Sequence, residues 1–132
     1  MGLFSLYGGE NMNYVFVYGT LLKDERNHYL LENSEYIGSG YIKDYYMFNL
    51  GTYPGIQNGN GKVLGEVYKV NKTTENLLDQ LEEVGYLYDK VLEKIILDNN
   101  EEINAYVYVY ILDEIKDTLH LNEYNWKQIK KA

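Results

Sequence analysis

Two places in this chain carry residue types that can do chemistry: the turn Tyr18-Gly19-Thr20-Leu21 and the carboxylate of Glu82. The turn follows the apolar run Tyr14-Val15-Phe16-Val17, whose β-branched and aromatic residues favour a buried strand over a helix at this length. Gly19 tolerates backbone geometry that a side chain forbids, so the N–H groups of Gly19, Thr20 and Leu21 can point into a cleft and attract an anion. Glu82 offers proton transfer. The helix that carries it presents Leu77, Leu78, Leu81 and Val84 as an apolar face, and on a wheel of about 100° per residue Glu82 falls closer to that arc than Glu75, Asp79 or Glu83. An ordinary strand-to-helix connection and a solvated acidic helix face are the plainer readings of the same residues.

The 132 residues of the chain suffice for one domain with a single core. A net charge of −8 with scattered Lys and Arg argues against a nucleic-acid partner. The absence of cysteine excludes disulfides, thiolate nucleophiles and Cys-based zinc sites, and His28 and His120 have no spacing partner for a metal. Any chemistry must therefore use carboxylates, hydroxyls and backbone, with no cofactor or metal implied. No stretch has the apolar length of a membrane span, and the start of the chain lacks the features of a signal peptide, so a cytoplasmic address follows by default. Residues 1–11 read as a loose leader and residues 12–132 as one domain.

Asp24 is expected to cap a short helix with Tyr29 and Leu30 facing inward. Short strands are expected around Tyr36-Ile37, Tyr41-Ile42 and Tyr45-Tyr46-Met47-Phe48, with bends or bulges at Gly38, Gly40 and Asp44. The Gly51-Thr52-Tyr53-Pro54-Gly55-Ile56 segment holds the single proline of the chain and reads either as a hairpin turn or as the rim of a pocket. Asn58-Gly59-Asn60-Gly61 reads as a second turn, and Val63 to Val70 as a strand. A helix capped by Thr73, with Glu75 in its first turn, ends at Gly85. Tyr86 to Leu97 and Ile103 to Ile111 read as strands, the second with a tyrosine face that packs a sheet more readily than it binds a ligand. A short helix containing Trp126 closes the chain.

In this order, Phe16-Val17-Tyr18-Gly19-Thr20-Leu21, Asn27-His28, Tyr53-Pro54-Gly55, Val63-Leu64-Gly65-Glu66-Val67-Tyr68, Leu78-Asp79-Gln80-Leu81-Glu82, Tyr88 and Trp126 resemble the γ-glutamyl cyclotransferase-like proteins over roughly residues 13–126. The small bacterial members and the γ-glutamylamine cyclotransferases are the most similar in pattern. The resemblance implies an α+β fold, a small mixed β-barrel of short strands with two or three flanking helices. It implies Glu82 as general acid/base, the turn Tyr18, Gly19, Thr20 and Leu21 as the loop that binds the glutamyl group, and Tyr53, Pro54 and Tyr88 as pocket residues. Lys90 departs from the family pattern, which has Arg two residues beyond the tyrosine.

The implied reaction needs no protein nucleophile. The α-amine of a γ-glutamyl amine or peptide attacks its own γ-carbonyl, closes 5-oxoproline and expels the free amine. Holding that near-attack geometry can account for about 7–11 kcal/mol of the barrier. One carboxyl group can take the proton from the ammonium and return it to the leaving amine, provided burial lifts it above its ordinary pKa of about 4.3. The acidic balance of the chain favours alkylamine or lysine-type leaving groups over those with a second carboxylate. The alternative is a non-catalytic module that binds a small carboxylate or a protein through the same pocket.

Overall fold

The computed structural model describes residues 12–131. The expected leader, residues 1–11, lies outside them. Five strands close into a mixed barrel: β1 (Asn13–Val17), β2 (Glu35–Asn49), β3 (Pro54–Val70), β4 (Tyr88–Leu97) and β5 (Glu102–Tyr110). The order around the barrel is β1-β5-β4-β2-β3, and β3 returns to β1. β1 is the hinge of the closure, since it runs parallel to β5 and antiparallel to β3. A strand with neighbours on both edges and a packed face is uniformly apolar, which is why Val15, Phe16 and Val17 are all buried. A two-residue strand β6 (Glu123–Tyr124) lies parallel on β3.

Two strands are far longer than expected. β2 and β3 span 15 and 17 residues and pair as one antiparallel hairpin, from Glu35 opposite Lys69 to Asn49 opposite Pro54. Gly38 and Asp44 mark bulges, as expected, because the register shifts between Tyr36 and Gly38 and between Lys43 and Tyr45. Gly40, by contrast, pairs in regular register with Gly65 and is no bulge; its lack of a side chain makes room for the Ile96 carbonyl, which a Cβ there would overlap. Asn58-Gly59-Asn60-Gly61 is not a turn. It is an irregularity inside β3, with Tyr45 facing both Asn58 and Gly61. Its glycines make room for rings: a Cβ on Gly59 would lie 2.5 Å from Tyr46 and one on Gly61 2.6 Å from Tyr124. The actual hairpin turn is at residues 50–53, where Gly51 adopts φ 120°.

The helices flank this barrel. α1 (Lys72–Leu81) is capped by Asn71, whose side chain accepts from the Thr74 N–H at 2.8 Å, in place of the expected Thr73. α2 (Trp126–Ile129) carries the buried Trp126. The expected helix after Asp24 is a single 3₁₀ turn, His28–Leu31, and Asp24 sits in the left-handed region instead of capping it. Its tighter winding buries Leu31 and half-buries Leu30 against the core, the latter as expected, but leaves Tyr29 exposed, against expectation. β4 begins at Tyr88, two residues later than expected. Among the described residues no helix is long and apolar enough to cross a membrane.

The face that α1 turns inward differs from the one its leucines suggest. Leu77, Leu81 and Val84 are exposed, whereas Leu78 is fully buried and Glu75 is only 2% exposed. The inward stripe is Glu75, Leu78, Asp79 and Glu82, at the i, i+3, i+4, i+7 spacing of one helix face. Three of those four are acids, so the barrel must supply partners. Lys90 on β4 bonds both Glu75 and Asp79, the latter at 3.0 Å, and Asn13 on β1 donates to Glu75 at 2.7 Å. Glu75 and Asp79 are thereby satisfied, while Leu78 supplies the apolar contact of the same face.

Candidate active site

β1 delivers the glycine turn to one end of the barrel, and α1 ends beside it. There Tyr18, Gly19, Thr20, Leu21, Tyr53, Pro54, Glu82 and Tyr88 line a single cleft, with Phe16, Val17 and Tyr108 completing its wall. All eight candidate residues named from the sequence thus meet in one place. The cleft encloses about 330 Å³ out to its open mouth. Glu82 is the last residue of α1's inward stripe and its C-cap.

The turn is built to present donors. Its carbonyls are occupied: Gly19 accepts from Leu22 N–H at 3.1 Å and Thr20 from Asn27 N–H at 2.9 Å. Leu21 accepts from His28 Nδ1 at 2.9 Å, which fixes the proton on that ring nitrogen. The Asn27 side chain also donates to the Thr20 hydroxyl at 2.9 Å. By contrast, the N–H groups of Gly19, Thr20 and Leu21 donate to no other group among the described residues. Three successive N–H groups without such a partner thus lie in residues that line the cleft.

Three phenols of the cleft give their protons to protein acceptors. The Tyr88 hydroxyl donates to the Pro54 carbonyl at 2.6 Å, the Tyr18 hydroxyl to the Tyr108 carbonyl at 2.5 Å, and the Tyr108 hydroxyl to Asp79 Oδ1 at 2.8 Å. Burial pushes the Glu82 carboxyl up to about 7. Burial also raises all three tyrosines, and the Glu82 charge adds to each. Glu82 therefore exchanges a proton near neutrality while the phenols stay protonated. Among the described residues no group of three or more His, Asp or Glu side chains is placed to hold a metal ion.

A second arm of the cleft continues past Thr20, Tyr53, Glu82 and Tyr88 to Arg26, Asn27, Leu81, Glu83 and Leu87. Arg26 donates to the Thr52 carbonyl at 2.7 Å and so ties the β2–β3 turn to this rim. The expected preference for leaving groups without a second carboxylate follows from overall charge; Arg26 places a cation at this rim.

Tyr108 is the wall residue that sequence reasoning placed in sheet packing. Its alternation in β5 is that of any half-buried strand residue. Only the register of β5 against β1 and the position of Asp79 bring it to the cleft.

The family model for γ-glutamyl cyclotransferase, AIG2-like proteins matches residues 15–128. The chain belongs to this family. It is 38% identical over 102 residues to a Methanocaldococcus jannaschii protein that carries a provisional γ-glutamylcyclotransferase name, covering 75% of this chain and 85% of that one. It is 35% identical over 96 residues to the Escherichia coli γ-glutamylcyclotransferase family protein YtfP, covering 73% and 80%. The crystal structure of a mouse AIG2-like protein superposes with a TM-score of 0.68 at 22% identity over 79% of this chain and 80% of that one, a likeness of fold.

Proposed function

We propose that this enzyme of the γ-glutamyl cyclotransferase family converts a γ-glutamyl amine or γ-glutamyl peptide to 5-oxoproline and a free amine, with Glu82 as general acid/base. The observation that carries the reading is the pairing, in one cleft, of the unpartnered N–H groups of Gly19, Thr20 and Leu21 with a carboxyl group lifted to about 7. The three N–H groups, as an anion-binding nest, take the α-carboxylate of the substrate. Glu82, ionised, accepts a proton from the α-ammonium. The freed amine attacks the γ-carbonyl, and the C–N bond to the leaving amine breaks as Glu82 returns its proton to that nitrogen. The second proton of the attacking nitrogen passes through Glu82 to the released amine, which departs as its ammonium. A carboxyl near 7 is matched to both halves, since it is neither too weak a base nor too weak an acid at neutral pH. Tyr53, Pro54 and Tyr88 exclude water and hold the folded-back chain of the substrate. The second arm receives the leaving group.

The test is direct. The protein is incubated with a panel of γ-glutamyl alkylamines, γ-glutamyl-lysine and γ-glutamyl dipeptides, and 5-oxoproline is measured. At least one class should yield it. Binding of several members without 5-oxoproline from any would replace the enzyme reading by a carboxylate-binding module.

A further inference from the structure

We infer that Tyr108 accepts a hydrogen bond from the substrate α-ammonium, and that Asp79 is the positioning residue that keeps its hydroxyl oxygen free to do so. The inference rests on the cyclisation reading for the identity of the ligand. A phenol has one proton and two acceptor lone pairs, so whichever group captures the proton decides what the oxygen offers elsewhere. At Tyr108 the captor is Asp79 Oδ1, 2.8 Å away. Lys90 Nζ holds Oδ2 of the same carboxylate at 3.0 Å and is itself tied to the buried Glu75, which Asn13 also contacts. Asp79 is thus clamped from behind, and its free oxygen faces Tyr108.

The neighbouring phenols sort themselves by the same rule. Tyr88 gives its proton to the Pro54 carbonyl, which leaves its oxygen as an acceptor. Tyr18 gives its own to the Tyr108 carbonyl, and its oxygen is met by the Ile56 backbone N–H, so it is not free to accept from a ligand. The cleft therefore opposes a donor surface, the glycine turn, to an acceptor surface of Glu82, Tyr88 and Tyr108. An ammonium has three N–H donors and no acceptor. Three acceptors match it, and two remain to hold the amine while Glu82 removes the third proton. The action of the Glu82 charge on both Tyr88 and Tyr108 is consistent with their gathering around that carboxylate.

L-Glutamate and glutarate differ only by the ammonium, so their relative affinity reads this subsite apart from the turn. The wild-type protein should bind glutamate roughly tenfold more tightly than glutarate, the scale of a charge-assisted hydrogen bond. Tyr108→Phe should bring the ratio towards one with glutarate affinity unchanged. Asp79→Ala should do the same, and so should Asp79→Asn, because Lys90 can only donate and takes the single amide oxygen, which turns the amide NH2 onto the Tyr108 hydroxyl oxygen and occupies it. A Tyr108→Phe variant that keeps the wild-type ratio, or loses both ligands equally, overturns the inference. The two readings fail separately. Loss of the ratio in Tyr108→Phe with no 5-oxoproline from wild-type protein removes cyclisation and leaves the subsite; 5-oxoproline formation with an unaltered ratio does the opposite.

Discussion

Gly19 and the ring of Pro54 are packed so closely that a Cβ on Gly19 would lie 2.6 Å from Pro54 Cγ and 2.7 Å from Cδ. The contact joins the two loops of the cleft. Pro54 also accepts the Tyr88 hydroxyl through its carbonyl, so the turn, the β2–β3 hairpin and β4 are held in one stack. Gly19 is required here for space and not, as expected from the sequence, for a backbone conformation that side chains avoid, since its φ lies outside the left-handed region.

Gly19→Ala should therefore push the proline ring away. We expect a stability loss of about 1–3 kcal/mol by urea denaturation, the usual cost of overpacking, together with slower 5-oxoproline formation. Adding Pro54→Ala should recover part of the stability, a non-additivity expected only of residues in contact. Strict additivity of the two changes would contradict the packing account.

Glu82 should give the same number in two different measurements. Because the reaction needs it ionised first, kcat/KM should rise with pH through an apparent pKa of about 7. Stability should move the other way. The folded-state pKa is raised from 4.5 to about 7, so between those values the folded protein holds a proton that the unfolded chain has released. Wild-type protein should then lose stability relative to Glu82→Gln as pH rises through that window, by up to about 3 kcal/mol, with no further change above it. A constant difference from pH 4 to 8 would show that Glu82 is not held neutral by burial.

The site was legible in the sequence to the extent that it depends on local geometry. Gly19 ends an apolar strand, and Glu82 lies on the same helix face as Leu78; both facts survive any packing of the rest. What was hidden depends on partners far along the chain. Glu75 looked like a solvated first-turn acid, and it is buried because Lys90 and Asn13 reach it from β4 and β1. Asn58-Gly59-Asn60-Gly61 has turn chemistry, yet the rings of Tyr46 and Tyr124 need the space its glycines leave. The long β2–β3 hairpin was broken into short strands for the same reason, since bulges and turns use the same residues.

Lys90 is the partner on which the inward acids rely. Burial alone would lower its ammonium, but its hydrogen bonds to Glu75 and Asp79 outweigh this and raise it. Lys90→Met should cost about 3–5 kcal/mol in chemical denaturation, because Glu75 is left as a buried, poorly compensated charge. Lys90→Met combined with Glu75→Gln should recover much of the loss. A single variant as stable as wild type would mean that the apolar contacts of Leu78, not the ion pair, fix α1.

Arg26 bears on the leaving group. Its guanidinium is exposed and bonded to Thr52, so its pull on a substrate carboxylate is that of a surface ion pair. Arg26→Ala should raise KM by about threefold for γ-glutamyl dipeptides whose leaving amino acid carries a carboxylate, with a smaller change for γ-glutamyl alkylamines. Equal changes for both classes would confine Arg26 to tying down the β2–β3 turn.

The most direct measurement compares 5-oxoproline formation by wild-type protein, Glu82→Gln and Glu83→Gln under single-turnover conditions with one γ-glutamyl substrate. The two carboxylates are adjacent in sequence, but Glu82 lines the cleft and Glu83 lines only its second arm. Both swaps are nearly isosteric, so a change in fold does not confuse the comparison. Glu82→Gln should lose at least about a hundredfold in rate, the scale of a missing general base, while Glu83→Gln stays close to wild type. Full activity in Glu82→Gln with loss in Glu83→Gln would contradict the account and move the proton transfer to the neighbouring residue.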